Sequence, residues 1–399
     1  MLEGCQVRNF KSLKNVEAEF GDVTVLIGRN NSGKSALLES LLFLKAASNE
    51  TPENIESVST PDFLGQKLND SDKTLYKGEN SQADSVRIAV QVDLSSTYGP
   101  VQNLHSENSE ILPNEISSMQ IGGQIGRDGW VPVCDYPIDH SDDKIISVVT
   151  ETSDTSLEVT MADNSTLSSD KSGFMYCKRG NGNLNQLISD MRNTLRFELN
   201  NMKYISEVRD IQQEEAEPQD IGFVGEQGQE VVSMLNRLLS NERAKFEEVQ
   251  EVIRDITPGV ERLEARENQG LVSSGLSDET TESMVNLVSS GSGIRRILPI
   301  IVQLAVAENN TIVIEEPGLG LYPRAQERVI EYIGEVVQAK DVQVIFTTHS
   351  LPMIWKVQEV LDSSIGHALE FKKEDGQSVV NQAPFERMGE FEELYNPPE

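Results

Sequence analysis

The sequence predicts an α/β protein with a mostly parallel sheet, N-terminal antiparallel strands, a β-rich insertion and a short helical subdomain. Three observations lead there. An apolar strand at Val23–Ile27 runs into a glycine-rich loop and then a leucine-rich helix. From Ser283 onward strands alternate with helices, the pattern of a parallel sheet. Between these stretches Val86–Leu94 alternates strictly between apolar and polar residues and further strand-like runs follow, which predict antiparallel strands.

Taken in order, Cys5 to Phe20 reads as strand, turn, strand, and Val23–Ile27 as a third strand. The helix over Ser35–Ala47 carries Leu37, Leu38, Leu41, Leu42 and Leu44. Residues 48–84 are rich in Ser, Asn, Asp, Glu and Pro and read as irregular surface. Val86, Ile88, Val90, Val92 and Leu94 point one way from a strand over Val86–Leu94. Further strands are predicted at Trp130–Cys134, Lys144–Val149 and Ser156–Met161, so 86–180 reads as an antiparallel insertion. Helical spacing follows at Leu184, Leu187, Ile188, Met191, Leu195 and Leu199. It recurs at Val231, Met234, Leu235, Leu238 and Leu239, and at Phe246, Val249, Ile253 and Ile256. Pro258-Gly259 ends the last of these, and no heptad run is long enough for a coiled-coil arm.

The α/β portion then predicts a helix over Ile294–Ala307, a strand over Thr311–Glu315, and a helix over Pro323–Ala339. A strand over Val342–Thr347 and a helix from Leu351 complete it. The expected boundaries are 1–45 with the glycine-rich loop, 46–180 acidic and β-rich, 181–260 helical, 261–365 α/β, and a tail at 366–399 with no assigned place.

The 399 residues carry 34 Lys and Arg against 65 Asp and Glu, a net charge of −31. That argues against a surface that grips nucleic acid or anionic lipid throughout, so DNA contact is expected to be weak and salt-sensitive at most. Composition does not separate this from a halophilic origin. Residues 1–45 hold six basic and five acidic residues, whereas 46–180 hold 9 and 22, so the acidity lies outside the loop segment. Cys5, Cys134 and Cys177 form no CxxC pair, and four histidines are scattered. A disulfide framework or zinc site is not expected, and the usage fits a reducing cytosol. No charged start precedes an apolar core, and the apolar stretch Ile297–Ala307, broken by Pro299 and Gln303, is shorter than a membrane span of about 20 residues. The expectation is a soluble, cytoplasmic chain.

Chemistry concentrates in four places. Gly28-Arg29-Asn30-Asn31-Ser32-Gly33-Lys34-Ser35 matches G-x-x-x-x-G-K-[ST] in full, between a strand and a helix. Its glycines let successive N–H groups turn inward on phosphate oxygens; Lys34 should reach the β- and γ-phosphates and Ser35 should offer its hydroxyl to Mg²⁺. Ala36 lies in the first turn of the helix that follows. Ile312-Val313-Ile314-Glu315-Glu316-Pro317 is an apolar strand ending in two carboxylates, Glu315 placed to hold Mg²⁺ and Glu316 to orient the attacking water. His349 ends a second apolar strand and either donates to the γ-phosphate or holds the water-orienting carboxylate. Ser289-Ser290-Gly291-Ser292-Gly293 precedes a helix whose N-terminus can take an anion. Arg295 and Arg296 in its first turn oppose the helix dipole and call for a negative neighbour.

In this order the four motifs resemble the ABC-type P-loop ATPase heads of the structural-maintenance-of-chromosomes, RecF-like and OLD-like group. Val7–Leu13 looks like that group's first strand, Gly28–Ser35 its Walker A loop, Ser289–Gly293 its signature loop, Glu315-Glu316 its Walker B end and His349 its switch histidine. Met202–Arg209, Gly222–Glu230, Gly291–Pro299 and Glu316–Gln326 resemble stand-alone prokaryotic AAA-type ATPases of anti-phage systems such as Septu. The likeness covers 1–45 and about 202–360. Gly318-Leu319-Gly320-Leu321-Tyr322-Pro323 departs from the usual Glu and His-Leu-His-Pro run; Gln91 and Gln212 are the Q-loop candidates; no Toprim-like nuclease module follows 360. The resemblance implies ATP and Mg²⁺ as cofactors. It implies a homodimer or higher homo-oligomer in which Ser289, Ser290, Gly291 and Gly293 act on ATP held by the other copy. It also implies an effector partner such as a nuclease. Two other uses stay open: the nucleotide-binding subunit of a membrane transporter, against which the Asn9-Phe10-Lys11-Ser12 element and the long insertion count, and a non-catalytic ATP-dependent scaffold, against which Glu316 counts.

Overall fold

A computed structural model describes residues 1–49, 85–93, 118–126, 129–135, 147–148, 156–160, 166–170, 193–278, 284–361 and 365–385. Of the stretch 48–84 read as irregular, Ser48 and Asn49 instead end the helix Lys34–Asn49, and 50–84, the helical spacing at Leu184–Met191 and the chain beyond 385 lie outside the described residues. The chain divides into two units. One takes Met1–Phe20, Asn31–Asn201 and Phe371–Asn381; the other takes Gly21–Asn30, Met202–Glu370 and Gln382–Glu399.

The first unit is built on an antiparallel sheet. β1 (Leu2–Phe10) and β2 (Leu13–Glu19) form a hairpin in which Val7 faces Val16. β4 (Ser85–Asp93) buries Val86, Ile88, Val90 and Val92, and it pairs directly with β1, Ile88 opposite Val7. The strand order β2-β1-β4 continues through β5 (Ser118–Gly126), β6 (Gly129–Asp135), β7 (Ser147–Val148), β8 (Ser156–Thr160) and β9 (Thr166–Asp170). The β-rich stretch therefore extends the N-terminal sheet. The strand expected at Lys144–Val149 is Ser147–Val148 among the described residues. α1 (Lys34–Asn49) buries Leu37, Leu38, Leu41, Leu42 and Leu44. Its end is tied to α2 (193–201): Arg196 donates to Ser48 O, and the Asn49 and Asn200 amides exchange hydrogen bonds of 2.9 and 3.2 Å.

The second unit holds the parallel sheet. β10 (Met202–Ile205), β15 (Asn310–Glu315), β16 (Val342–Thr348) and β3 (Val23–Gly28) lie side by side and parallel. β3 and β16 are buried along their whole length, which is why both read as mostly apolar runs rather than alternating ones. β17 (Gly366–Glu374) and β18 (Gln377–Pro384) follow β3 in the sheet order, so the unplaced tail supplies two more strands. A smaller antiparallel sheet contains β11 (Glu215–Ala216), β12 (Val260–Asn268), β13 (Leu271–Asp278) and β14 (Val285–Asn286). The β12–β13 hairpin is not anticipated from the sequence; β12 is mostly solvent-facing and has no apolar alternation.

α3 (Val231–Asn241) and α4 (Arg243–Ile256) each bury one apolar stripe. α5 (Ser292–Val306) is buried from Ile297 to Ala305, Pro299 included, and its buried Gln303 accepts a hydrogen bond from Val224 N–H. α6 (Pro323–Ala339) and α7 (Leu351–Val360) pack with it into the same apolar core. Among the described residues no helix is long and apolar enough to cross a membrane.

Candidate functional site

The glycine-rich loop leaves β3 at Gly28 and enters α1 at Lys34, and Leu37 N–H donates to Gly33 O at 3.1 Å to close the first helical turn. Asn31 has a φ of 64° and Gly33 a φ of 113°. Gly33 is required twice over. Its backbone lies where L side chains strain, and a Cβ there would strike Ser378 and crowd Ser12. Those two residues form a brace: Ser378 N–H donates to Ser12 O at 2.9 Å and its hydroxyl to Ser12 Oγ at 2.7 Å. Asn31, Ser32, Gly33, Lys34, Ser35 and Ala36 line a cavity of about 550 Å³ together with Lys11, Ser12 and Glu39. Lys34 is buried, and the buried Ser32 hydroxyl has no hydrogen-bond partner among the described residues. A helix N-terminus, a lysine and an unanswered hydroxyl around one cavity suit phosphate oxygens.

The carboxylates lie in the second unit. Because β3, β16 and β15 are parallel and in register, with Thr348 opposite Ile27 and Glu315 opposite Thr347, their C-terminal ends share one sheet edge. Gly28, Asn30, Glu315, Glu316 and His349 leave the strands there. Glu315 is 6% exposed; its Oε2 accepts from Tyr204 Oη at 2.8 Å and from Glu207 N–H at 3.3 Å. Burial, and next the Glu315 charge, push the Tyr204 pKa up, so the phenol remains a donor. Glu316 has a φ of 44°, unusual for a residue with a side chain. Its Oε1 lies 2.8 Å from His349 Nδ1. A carboxylate only accepts, so His349 is the donor, and a neutral ring then presents Nε2 as an acceptor.

The Ser289–Gly293 stretch closes onto α5. Ser290 N–H and Oγ both meet Leu287 O, at 3.0 and 2.6 Å. Arg295 donates to Val288 O at 2.7 Å and Ser290 O at 3.2 Å, and pairs with Asp210 at 2.7 Å. Asp210 is thus a negative neighbour for the Arg295–Arg296 pair. Ser289, Gly291 and Ser292 are exposed, while Gly293 packs against Gly320 O. In the divergent Gly318–Pro323 stretch, Gln326 donates to Gly318 O and Leu321 O, and Tyr322 Oη to Ile256 O.

Sequence reasoning missed Tyr204, Arg209 and Thr347 as parts of this corner. Arg209, 2% exposed, donates to the backbone carbonyls of Ser206, Glu315, Glu316 and Arg296. Burial, and next the Arg296 charge, push its pKa down to about 10. The Met202–Arg209 stretch was legible as a resemblance, yet no spacing rule links it to carboxylates more than a hundred positions later. Gln91, a Q-loop candidate, lies within β4 and donates to Glu3, while Gln212 is exposed.

The sequence is 25% identical over 118 residues to an ATP/GTP phosphatase of Helicobacter pylori (strain ATCC 700392 / 26695), 29% of this chain and 32% of that protein. The chain thus spans about a third of that curated relative's length. Among solved structures, an Smc head bound to the C-terminal winged-helix domain of ScpA gives a TM-score of 0.55 at 13% identity, covering 97% of this chain and 99% of the other. An Smc head with an extended coiled coil, bound to the C-terminal domain of ScpA and derived from Pyrococcus furiosus, gives 0.53 at 12% identity, covering 99% of each. The fold is that of a P-loop ATPase head of the Smc kind. A family model described as an AAA ATPase domain matches residues 1–354, from the first strand into the helix after His349. A match of that reach exceeds what any one motif supplies, and the chain belongs to the AAA ATPase domain family.

Proposed function

We propose that this protein binds and hydrolyses ATP, closes as a pair around two ATP molecules, and acts as a switch for an effector protein in DNA maintenance or anti-phage defence. The observation that carries the reading is the shared sheet edge at which the strand feeding the phosphate loop lies in register with the strands that lead into Glu316 and His349. Ser35 and Glu315 would hold Mg²⁺, since a hydroxyl and a carboxylate are the hard oxygen donors it takes. When bound, the ion neutralises charge on the phosphates. Lys34 and the loop N–H groups bind the triphosphate. Glu316 orients the attacking water and accepts its proton, and His349 fixes the Glu316 carboxylate through Oε1. Ser289, Ser290, Gly291 and Gly293 reach the nucleotide of the second copy. Ser289, Gly291 and Ser292 are exposed and so accessible to a second copy, which supports this. The effector and the defence setting rest on the Septu-like resemblance.

The test is Glu316→Gln, examined with and without Mg²⁺ and ATP by light scattering on a sizing column. Turnover should fall about a hundredfold or more, and the variant should run as a pair only with ATP. Wild-type hydrolysis by this variant would remove Glu316 as the catalytic carboxylate. A single copy in the presence of bound ATP would remove the paired arrangement.

A further inference from the structure

The turn after β15 forces Glu316 into a left-handed backbone conformation, with a φ of 44°. A residue with a side chain is strained there, so something must hold it. Both ends of the residue are held. Glu316 N–H donates to Thr347 Oγ1 at 3.1 Å, and Arg209 Nη2 donates to Glu316 O at 2.7 Å. The same guanidinium binds Glu315 O at 2.7 Å, Ser206 O at 2.8 Å and, through Nε, Arg296 O at 2.8 Å. Arg296 lies in the first turns of α5, directly after the Ser289–Gly293 loop. The adjacent Asp210 holds Arg295, whose guanidinium grips Val288 O and Ser290 O of that loop. Arg209 therefore touches the backbone of the carboxylate turn on one side and of α5 on the other, while Asp210 reaches the serine–glycine loop through Arg295. Four carbonyl acceptors around one planar fork fix its position in a way a lysine's single ammonium does not.

We propose that Arg209 is a positioning residue that, with Thr347, clamps Glu316 in its left-handed turn and joins that turn to the helix behind the serine–glycine loop. It touches no reacting atom; it sets where the Glu316 carboxylate points. The proposal rests on the ATPase reading above. It adds that aiming Glu316, rather than binding nucleotide, depends on this buried cation.

The test compares the full-length wild type, Arg209→Lys, Thr347→Val and each of these combined with Glu316→Gln. Both single variants should keep their affinity for a fluorescent ATP analogue within about threefold while kcat falls about thirtyfold to a hundredfold, the effect of displacing a reacting group by about an ångström. On the Glu316→Gln background neither should lower kcat further, because the group they aim is already gone. Thr347→Val keeps the shape of a buried side chain, so it carries the test should Arg209→Lys not fold. Full turnover by Thr347→Val, or a further loss on the Glu316→Gln background, overturns the clamp. A wild-type protein without ATPase activity overturns the reading beneath it instead, so the two failures are distinct.

Discussion

The phosphate loop and the carboxylate corner solve the same problem, holding a few polar groups in a fixed arrangement, by opposite means. The loop is local: eight consecutive residues, a required glycine at 33 and the N-terminus of α1 supply most of it. The corner is assembled from afar. Glu315 and Glu316 come from the end of β15 and just after it, Thr347 and His349 from the end of β16 and just after it, and Tyr204 and Arg209 from in and just after the four-residue β10. Damage to the loop should therefore remove binding. Damage to the corner should leave binding and degrade its use.

The largest expected effect is Lys34→Ala. It deletes a buried cation from the cavity whose charge-assisted contacts with phosphate contribute about 3 kcal/mol. ATP affinity should fall about a hundredfold or more, measured by equilibrium titration. Unchanged affinity would break the loop side of the contrast outright. Next comes His349→Gln, which removes the donor 2.8 Å from Glu316 Oε1. Here kcat should fall about tenfold with ATP affinity kept, since one positioning hydrogen bond to a charged acceptor is lost. A large loss of ATP affinity instead would mean that His349 serves the nucleotide rather than the carboxylate.

The same contrast explains what could be read in advance. α6 spans Pro323–Ala339, the range its spacing predicts, because Pro323 at the first helical position and a buried stripe from Ala325 to Val337 both announce it. β15 and β16 are buried strands with apolar centres, Ile312–Ile314 and Val344–Phe346, as strands inside a parallel sheet are. β10 could not be found this way, as four residues show no period. The clamp by Arg209 was equally hidden. Its four acceptors are backbone carbonyls, which every residue possesses, so nothing in the identities of Ser206, Arg296, Glu315 and Glu316 marks them as its partners. The β17–β18 hairpin escaped for another reason. Its Ser378 braces Gly33 through Ser12 from 345 positions away in sequence, a contact that only the fold creates.

The smallest effect sharpens the contrast most, because it concerns stability and pH rather than turnover. Tyr204→Phe removes only the phenol that donates to Glu315 at 2.8 Å. The loss should be about 1 kcal/mol of folding stability, a fall of about 2 °C or less in the thermal midpoint. In the folded protein burial and the Glu315 charge raise the Tyr204 pKa above its ordinary value near 10. The folded state thus holds this proton more tightly than the unfolded chain does, and stability from it is fully present below about pH 10 and is lost as pH rises beyond that. The difference between wild type and Tyr204→Phe should accordingly stay constant from about pH 6 to pH 9 and shrink only above about pH 10. A difference that already varies near neutrality would mean that the variant disturbs some other titrating group of the corner, and the simple picture of Tyr204 as a fixed donor to Glu315 would fail.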